Sequence, residues 1–181
     1  MTVTFKGQPI QILGNTVKVG DLVGSVRVKN VNFEDLDLQA FEHPVLLLIS
    51  VPSLDTPVCD KEACHFDSLI EGNRIRRGIS TIVVSKDLPF AQKRWASQGN
   101  CRNLSVLSDF PYGEVGKRFG IETSLGLLAR TVIILGPKNE AGEREIKYIQ
   151  IVPELTNEPD YEDVIERINK LWSEILPALS G

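Results

Sequence analysis

The sequence predicts an α/β chain: a central mixed sheet flanked by helices, preceded by an N-terminal β-hairpin. Two nearly all-apolar runs, 44–51 and 79–85, have the length and content of strands buried on both faces. Segments of helical period alternate with such runs, and that alternation packs helices on both faces of a sheet. The 181 residues suit one domain, taken as 1–181.

The elements follow in order. Apolar runs at 3–5 and 10–13, punctuated by Lys6-Gly7 and Gly14-Asn15, predict the hairpin. Residues 35–41 read as a short connection or a turn of helix. The strand at 44–51 is followed by a helix that opens after Thr56. Asp60 and Glu62 lie in its first turn, and Gly72-Asn73 end it. A second buried strand spans 79–85. Pro89 starts a helix to 98, and 104–107 is a short strand. A short helix at 112–119 stops at Gly120. Strands at 131–135 and 147–152 are joined by a polar turn. The last helix, 161–176, carries Ile165, Ile168, Leu171, Trp172 and Ile175 on one face.

Composition narrows the function classes. The net charge is −4, with no basic block, which speaks against nucleic acid as a partner. No apolar run reaches the ~18 residues of a membrane span. The N-terminus lacks the charged-then-apolar order of a signal peptide, so a cytoplasmic location is the default. There are three cysteines, an odd count in a chain too large to need disulfide staples. Two histidines and the lack of a CxxC pair argue against a metal site, and no cofactor is expected.

Residues 52–64, Pro-Ser-Leu-Asp-Thr-Pro-Val-Cys-Asp-Lys-Glu-Ala-Cys, hold the chemistry. Cys59 falls in the first turn of the helix, after the carboxyl end of a strand, where sites of open α/β sheets lie. A helix N-terminus offers unpaired N–H groups and partial positive charge, which favour the thiolate. A buried, inert cysteine is the plainer alternative. Thr56 can cap the helix, face the sulfur, or do both. Pro52 can shape the loop or shield the thiolate. A thiolate that attacks an O–O bond needs a cation to hold the charge on the departing oxygen. Arg130, at the mouth of the 131–135 strand, is the candidate. An ordinary ion pair with one of the 24 acids explains it equally well.

The segment 52–59 resembles the PxxxTxxC signature of peroxiredoxins. With 87–92, 107–110, 126–130 and 152–161, the chain is similar to the thiol peroxidase subgroup over nearly its whole length. The resemblance implies a thioredoxin-like fold and reduction of hydrogen peroxide and organic hydroperoxides. It gives Cys59 the role of peroxidatic cysteine. Pro52 then shields the pocket, Thr56 orients the peroxide, and Arg130 activates the thiolate and polarises the O–O bond. A second thiol resolves the sulfenic acid, and thioredoxin reduces the disulfide. A homodimer is implied, with Phe110, Pro111, Tyr112 and Phe119 as candidate contacts.

Two departures stand out. Where the subgroup carries its resolving cysteine, after an Arg-Trp pair, this chain has Ala96. The spacing of Cys64 from Cys59 resembles that of a second peroxiredoxin subgroup, the bacterioferritin comigratory protein type, which makes Cys64 the resolving candidate. Cys101, after Gly99-Asn100, is the alternative. Five helical residues separate two Cα atoms by roughly 8.6 Å. A disulfide spans about 4.4–6.8 Å, so a Cys59–Cys64 bond requires the first turns of the helix to unwind. The second departure is a short loop between Gly120 and Gly126, which is expected to border the pocket. Loss of the usual resolving thiol also leaves a second possibility: a peroxide sensor or chaperone-like protein with weak turnover.

Overall fold

The computed structural model describes residues 1–99 and 101–180; Asn100, ahead of Cys101, lies outside them. In chain order the strands are β1 (Thr2–Phe5), β2 (Gln8–Gln11), β3 (Leu22–Val23), β4 (Arg27–Asn30), β5 (Asp35–Asp37), β6 (Val45–Ser50), β7 (Ile79–Ser85), β8 (Ser105–Ser108), β9 (Thr131–Lys138) and β10 (Arg144–Ile151). The α-helices are α1 (Pro57–Glu71), α2 (Pro89–Ser97), α3 (Glu114–Phe119) and α4 (Tyr161–Leu179). Strands β1 and β2 pair by themselves, and the other eight form one sheet in the order β3-β10-β9-β6-β7-β8-β4-β5. The central β6-β7-β8 ladder is parallel, whereas β9 and β10 run antiparallel.

Strand β6 shows how the layers arise. Every residue of it is buried, because successive side chains enter two different cores. Leu46 and Leu48 join the hairpin residues Val3, Ile10 and Ile12 and the α3 residues Val115 and Phe119. Val45, Leu47 and Ile49 join α1 through Cys59, Ala63 and Phe66, and α4 through Val164, Ile165, Ile168 and Leu171. Each of those four α4 side chains stabilises the fold by about 2 kcal/mol on burial. Gly120 is required where α3 ends. Its φ is +60°, and a Cβ there would lie 2.0 Å from the Asn15 carbonyl oxygen.

The fold class is as expected, with four revisions to the elements. Strands β3, β4 and β5 lie in a stretch that carries no strand signal. They have two to four residues each, β3 and β4 bury one valine apiece and β5 buries nothing, and β3 and β5 are the two edges of the sheet. Strands β9 and β10 are longer than 131–135 and 147–152. Beyond Leu135, β9 no longer pairs with β6, so the missing N–H of Pro137 breaks no ladder on that side. Helix α4 passes Pro177, whose cost falls in an exposed last turn open to water. Helix α3 starts at Glu114, two residues later than expected.

The hairpin has a specific job. Lys6 and Gly7 both take positive φ, +50° and +78°, the two-residue turn that matches strand twist. Their N–H groups donate to the Glu154 carboxylate at 2.9 and 3.0 Å, and Thr4 Oγ1 donates to it at 2.7 Å. These donors hold the Glu154 carboxyl down at about 2. Leu155 N–H bonds Thr4 O at 2.8 Å. The hairpin thereby fixes the 153–156 loop against the site.

Candidate active site

The site is assembled at the carboxyl end of β6. Asp87, just past β7, accepts from Ser53 Oγ at 2.7 Å and from the Leu54 N–H at 2.8 Å, and so shapes the loop into α1. Thr56 is the N-cap: its Oγ1 accepts from the Cys59 N–H at 3.3 Å and donates to Ser53 O at 3.1 Å. Pro57 occupies the first helical turn, where its missing N–H costs nothing. Cys59 is fully buried.

Arg130 reaches the sulfur from the start of β9. Its Nη2 donates to Cys59 Sγ at 3.3 Å and to Leu155 O at 2.7 Å, and its Nε donates to Leu155 O at 3.1 Å. Its Nη1 forms an ion pair with Glu62 Oε2. Neither Arg130 nor Glu62 is exposed beyond 1%. Burial works against the Arg130 charge, but Glu62 and Cys59 outweigh it and hold its pKa above the ordinary value. Burial pushes the Glu62 carboxyl up to about 7, against the pull of Arg130. Glu62 Oε1 has no hydrogen-bond partner among the described residues.

Pro52, Thr56 and Arg130 wall a mainly apolar pocket of about 130 Å³, together with Phe5, Val58, Leu125 and Leu127. The short 120–126 loop therefore does border it, through Leu125. The structure brings Pro52, Thr56, Cys59 and Arg130 together, as the sequence suggests. The ion-pair reading of Arg130 and the sulfur-binding one hold at once.

Glu62 is the residue the sequence reading leaves in a purely structural role. A signal existed: it follows Cys59 by three residues, hence shares its helix face. An acid on the face of a buried cysteine has to meet a cation. The Leu155 carbonyl had no signal, because any residue supplies one.

The other two thiols are elsewhere. All three cysteines are free. Cys64 is half-buried and lines a second pocket, of about 160 Å³, with Asp60, Trp95, Ala96 and Cys101. Cys64 is thus no core position, and Cys101 is no isolated loop thiol. Helix α1 is continuous from Pro57, so a Cys59–Cys64 bond does require its unwinding.

Residues 18–165 match the Redoxin family. The chain is 38% identical to a thiol peroxidase of Aquifex aeolicus over 174 residues, covering 94% of this chain and 98% of that one. This chain belongs to the thiol peroxidase family of redoxins. A Campylobacter jejuni thiol peroxidase is 40% identical over 162 residues, covering 87% of each chain. The crystal structure of a peroxiredoxin-like protein from Aquifex aeolicus superimposes with a TM-score of 0.81 at 37% identity, covering 94% of this chain and 96% of that one. Thiol peroxidase membership carries thiol-dependent peroxide reduction. It also fixes the fold as thioredoxin-like.

Proposed function

We propose that this chain reduces hydrogen peroxide and organic hydroperoxides with Cys59 as the peroxidatic cysteine. The observation that carries this reading is the 3.3 Å hydrogen bond from Arg130 Nη2 to Cys59 Sγ in a buried site. The thiolate attacks one peroxide oxygen. An S–O bond forms, the O–O bond breaks, and the departing alkoxide or hydroxide takes a proton to leave as alcohol or water. Arg130 stabilises the charge on both the sulfur and the departing oxygen. Pro52 excludes water from the pocket, and Thr56 sets the helix end that presents the sulfur. Glu62 is a positioning residue that holds the guanidinium.

Cys59 becomes a sulfenic acid, and Cys64 resolves it to a disulfide with loss of water. Thioredoxin returns the disulfide to two thiols. The apolar walls at Phe5, Leu125 and Leu127 suit organic hydroperoxides as well as hydrogen peroxide. The chain acts as one domain, cytoplasmic and without cofactor or metal. No helix among the described residues is long and apolar enough to cross a membrane.

A homodimer is part of the proposal, with one revision: Phe119 is fully buried, so it is no contact residue. Phe110, 40% exposed, remains available beside Pro111 and Tyr112. A concentration-independent monomer mass in light scattering contradicts the dimer. The core test is Cys59→Ser. It abolishes peroxide consumption coupled to thioredoxin, with unchanged circular dichroism. Activity near wild type in that variant overturns the assignment.

A further inference from the structure

Cys64 and Cys101 are held together by structure that the chemistry at Cys59 does not need. Asp60, Cys64 and Asp67 recur at i, i+4 and i+7, and so form one stripe along α1. Cys59 lies about 140° around the helix from Cys64. Both acids of the stripe bind the segment that carries Cys101. Trp95 Nε1 donates to Asp60 Oδ1 at 2.8 Å, one turn before Cys64. The Asn103 N–H donates to Asp67 Oδ1 at 2.6 Å and Asn103 Nδ2 to Asp67 Oδ2 at 3.2 Å, one turn after it. Asp67 is 4% exposed, so its end of this attachment is buried. Between the two attachments, Cys101 and Cys64 line one pocket open to the surface.

We propose that Cys64 and Cys101 form a second redox centre, a dithiol that takes over the disulfide first made at Cys59 and presents it to the reductant. The proposal rests on Cys59 being the peroxidatic cysteine. Its steps balance. Peroxide converts the Cys59 thiolate to sulfenic acid and leaves as alcohol or water. The Cys64 sulfur attacks the Cys59 sulfur, a disulfide forms, and water leaves. The Cys101 thiol then gives its proton to water and attacks the Cys64 sulfur. The Cys64–Cys101 bond forms, the Cys59–Cys64 bond breaks, and Cys59 departs as thiolate. Two electrons from an external dithiol then reduce Cys64–Cys101 to two thiols.

The fold gives this sequence its direction. The Cys59–Cys64 bond exists only while the first turns of α1 are unwound. Unwinding breaks the Thr56 cap and the Arg130 bond to the sulfur. Transfer to Cys101 lets α1 rewind and gives the leaving thiolate back to Arg130. The new disulfide leaves the α1 backbone helical. Burial and the neighbouring Cys64 sulfur push the Cys101 thiol up. Cys64 shares α1 with Cys59 and attacks first; Cys101, which lines the same pocket as Cys64, attacks second.

The experiment treats the reduced full chain with one equivalent of hydrogen peroxide, blocks free thiols with N-ethylmaleimide, and maps disulfides by mass. In the wild type the expected product is Cys64–Cys101 with Cys59 alkylated. In Cys101→Ser the disulfide remains at Cys59–Cys64, and turnover with a dithiol reductant falls while the first equivalent of peroxide is consumed at the wild-type rate. Accumulation of Cys59–Cys64 or of a sulfenic Cys59 in the wild type, with Cys101 alkylated, overturns the relay and leaves Cys59 as peroxidatic cysteine. Formation of Cys64–Cys101 in Cys59→Ser at the wild-type rate also overturns the relay. Cys59 left reduced after peroxide in Cys101→Ser overturns the peroxidatic assignment itself.

Discussion

Arg130 and Arg144 are each only 1% exposed, yet among the described residues only Arg130 of the two is ion-paired with an acid. Arg144 donates to four backbone carbonyls, those of Phe41, His43, Pro44 and Gly136, at 2.7–3.1 Å. Burial pulls its pKa below the ordinary arginine value. Arg130 also serves a carbonyl, but adds a carboxylate and a sulfur, and its pKa is held up. A buried cation that touches only carbonyls organises a loop. One placed between an acid and a thiol can hold charge that appears during a reaction. The partners, more than the burial, separate the structural arginine from the reactive one.

Arg130→Met gives the largest effect on rate. Losing one preorganised donor slows peroxide attack by about 10²–10³-fold. Stopped-flow measurement of Cys59 oxidation reads it. Arg144→Met leaves that rate within about threefold and acts on stability. Each buried group left without its partner costs about 1–3 kcal/mol, and partial relaxation of the 41–44 loop keeps the total near 3 kcal/mol. Thermal unfolding then shifts down by about 10 °C. A slow but stable Arg144→Met protein would erase the distinction.

Glu62→Gln sharpens the comparison through pH. The Glu62 pKa is raised from 4.5 to about 7 on folding. Between those values the native state binds more protons than the unfolded state, so the stability Glu62 contributes falls as pH rises. That contribution is full below about 4.5 and lost as pH passes about 7. The wild type therefore loses stability relative to Glu62→Gln from pH 4.5 to pH 7. A step near pH 7 in the peroxide rate also disappears in the variant. Denaturant melts and rate profiles at matched pH check both. A parallel pair of stability curves contradicts a titrating Glu62.

Thr56→Ala has the smallest effect. Loss of an N-cap costs about 1 kcal/mol. It also frees the first turn of α1, so the Cys59–Cys64 crosslink forms faster after peroxide. Quenched mass mapping reads that rate.

The sequence carries the reactive region better than the edges of the sheet. Cys59, Thr56 and Arg130 are legible because each sits at a junction between an apolar run and a helix or strand start. β6 and β7 are legible because burial on both faces leaves an unbroken apolar run. β4 is not, since Arg27 is exposed, Lys29 and Asn30 are half-buried polar residues, and Val28 alone is buried. Arg144 is equally illegible: in sequence it is one more charge in the polar stretch between two strands, and its partners are carbonyls. The placing of Cys64 and Cys101 on one pocket goes with Asp60 and Asp67 reaching residues some 35 positions away. Local spacing holds no trace of such pairings.

The central claim is that Arg130, held by Glu62 and the Leu155 carbonyl, activates Cys59 for peroxide. The most direct measurement is the single-turnover rate of Cys59 oxidation by hydrogen peroxide in wild type, Arg130→Met and Arg144→Met under one buffer. The account predicts a loss of about 10²–10³-fold in Arg130→Met and a near-unchanged rate in Arg144→Met. Equal rates in all three proteins, or equal losses in the two variants, contradict it.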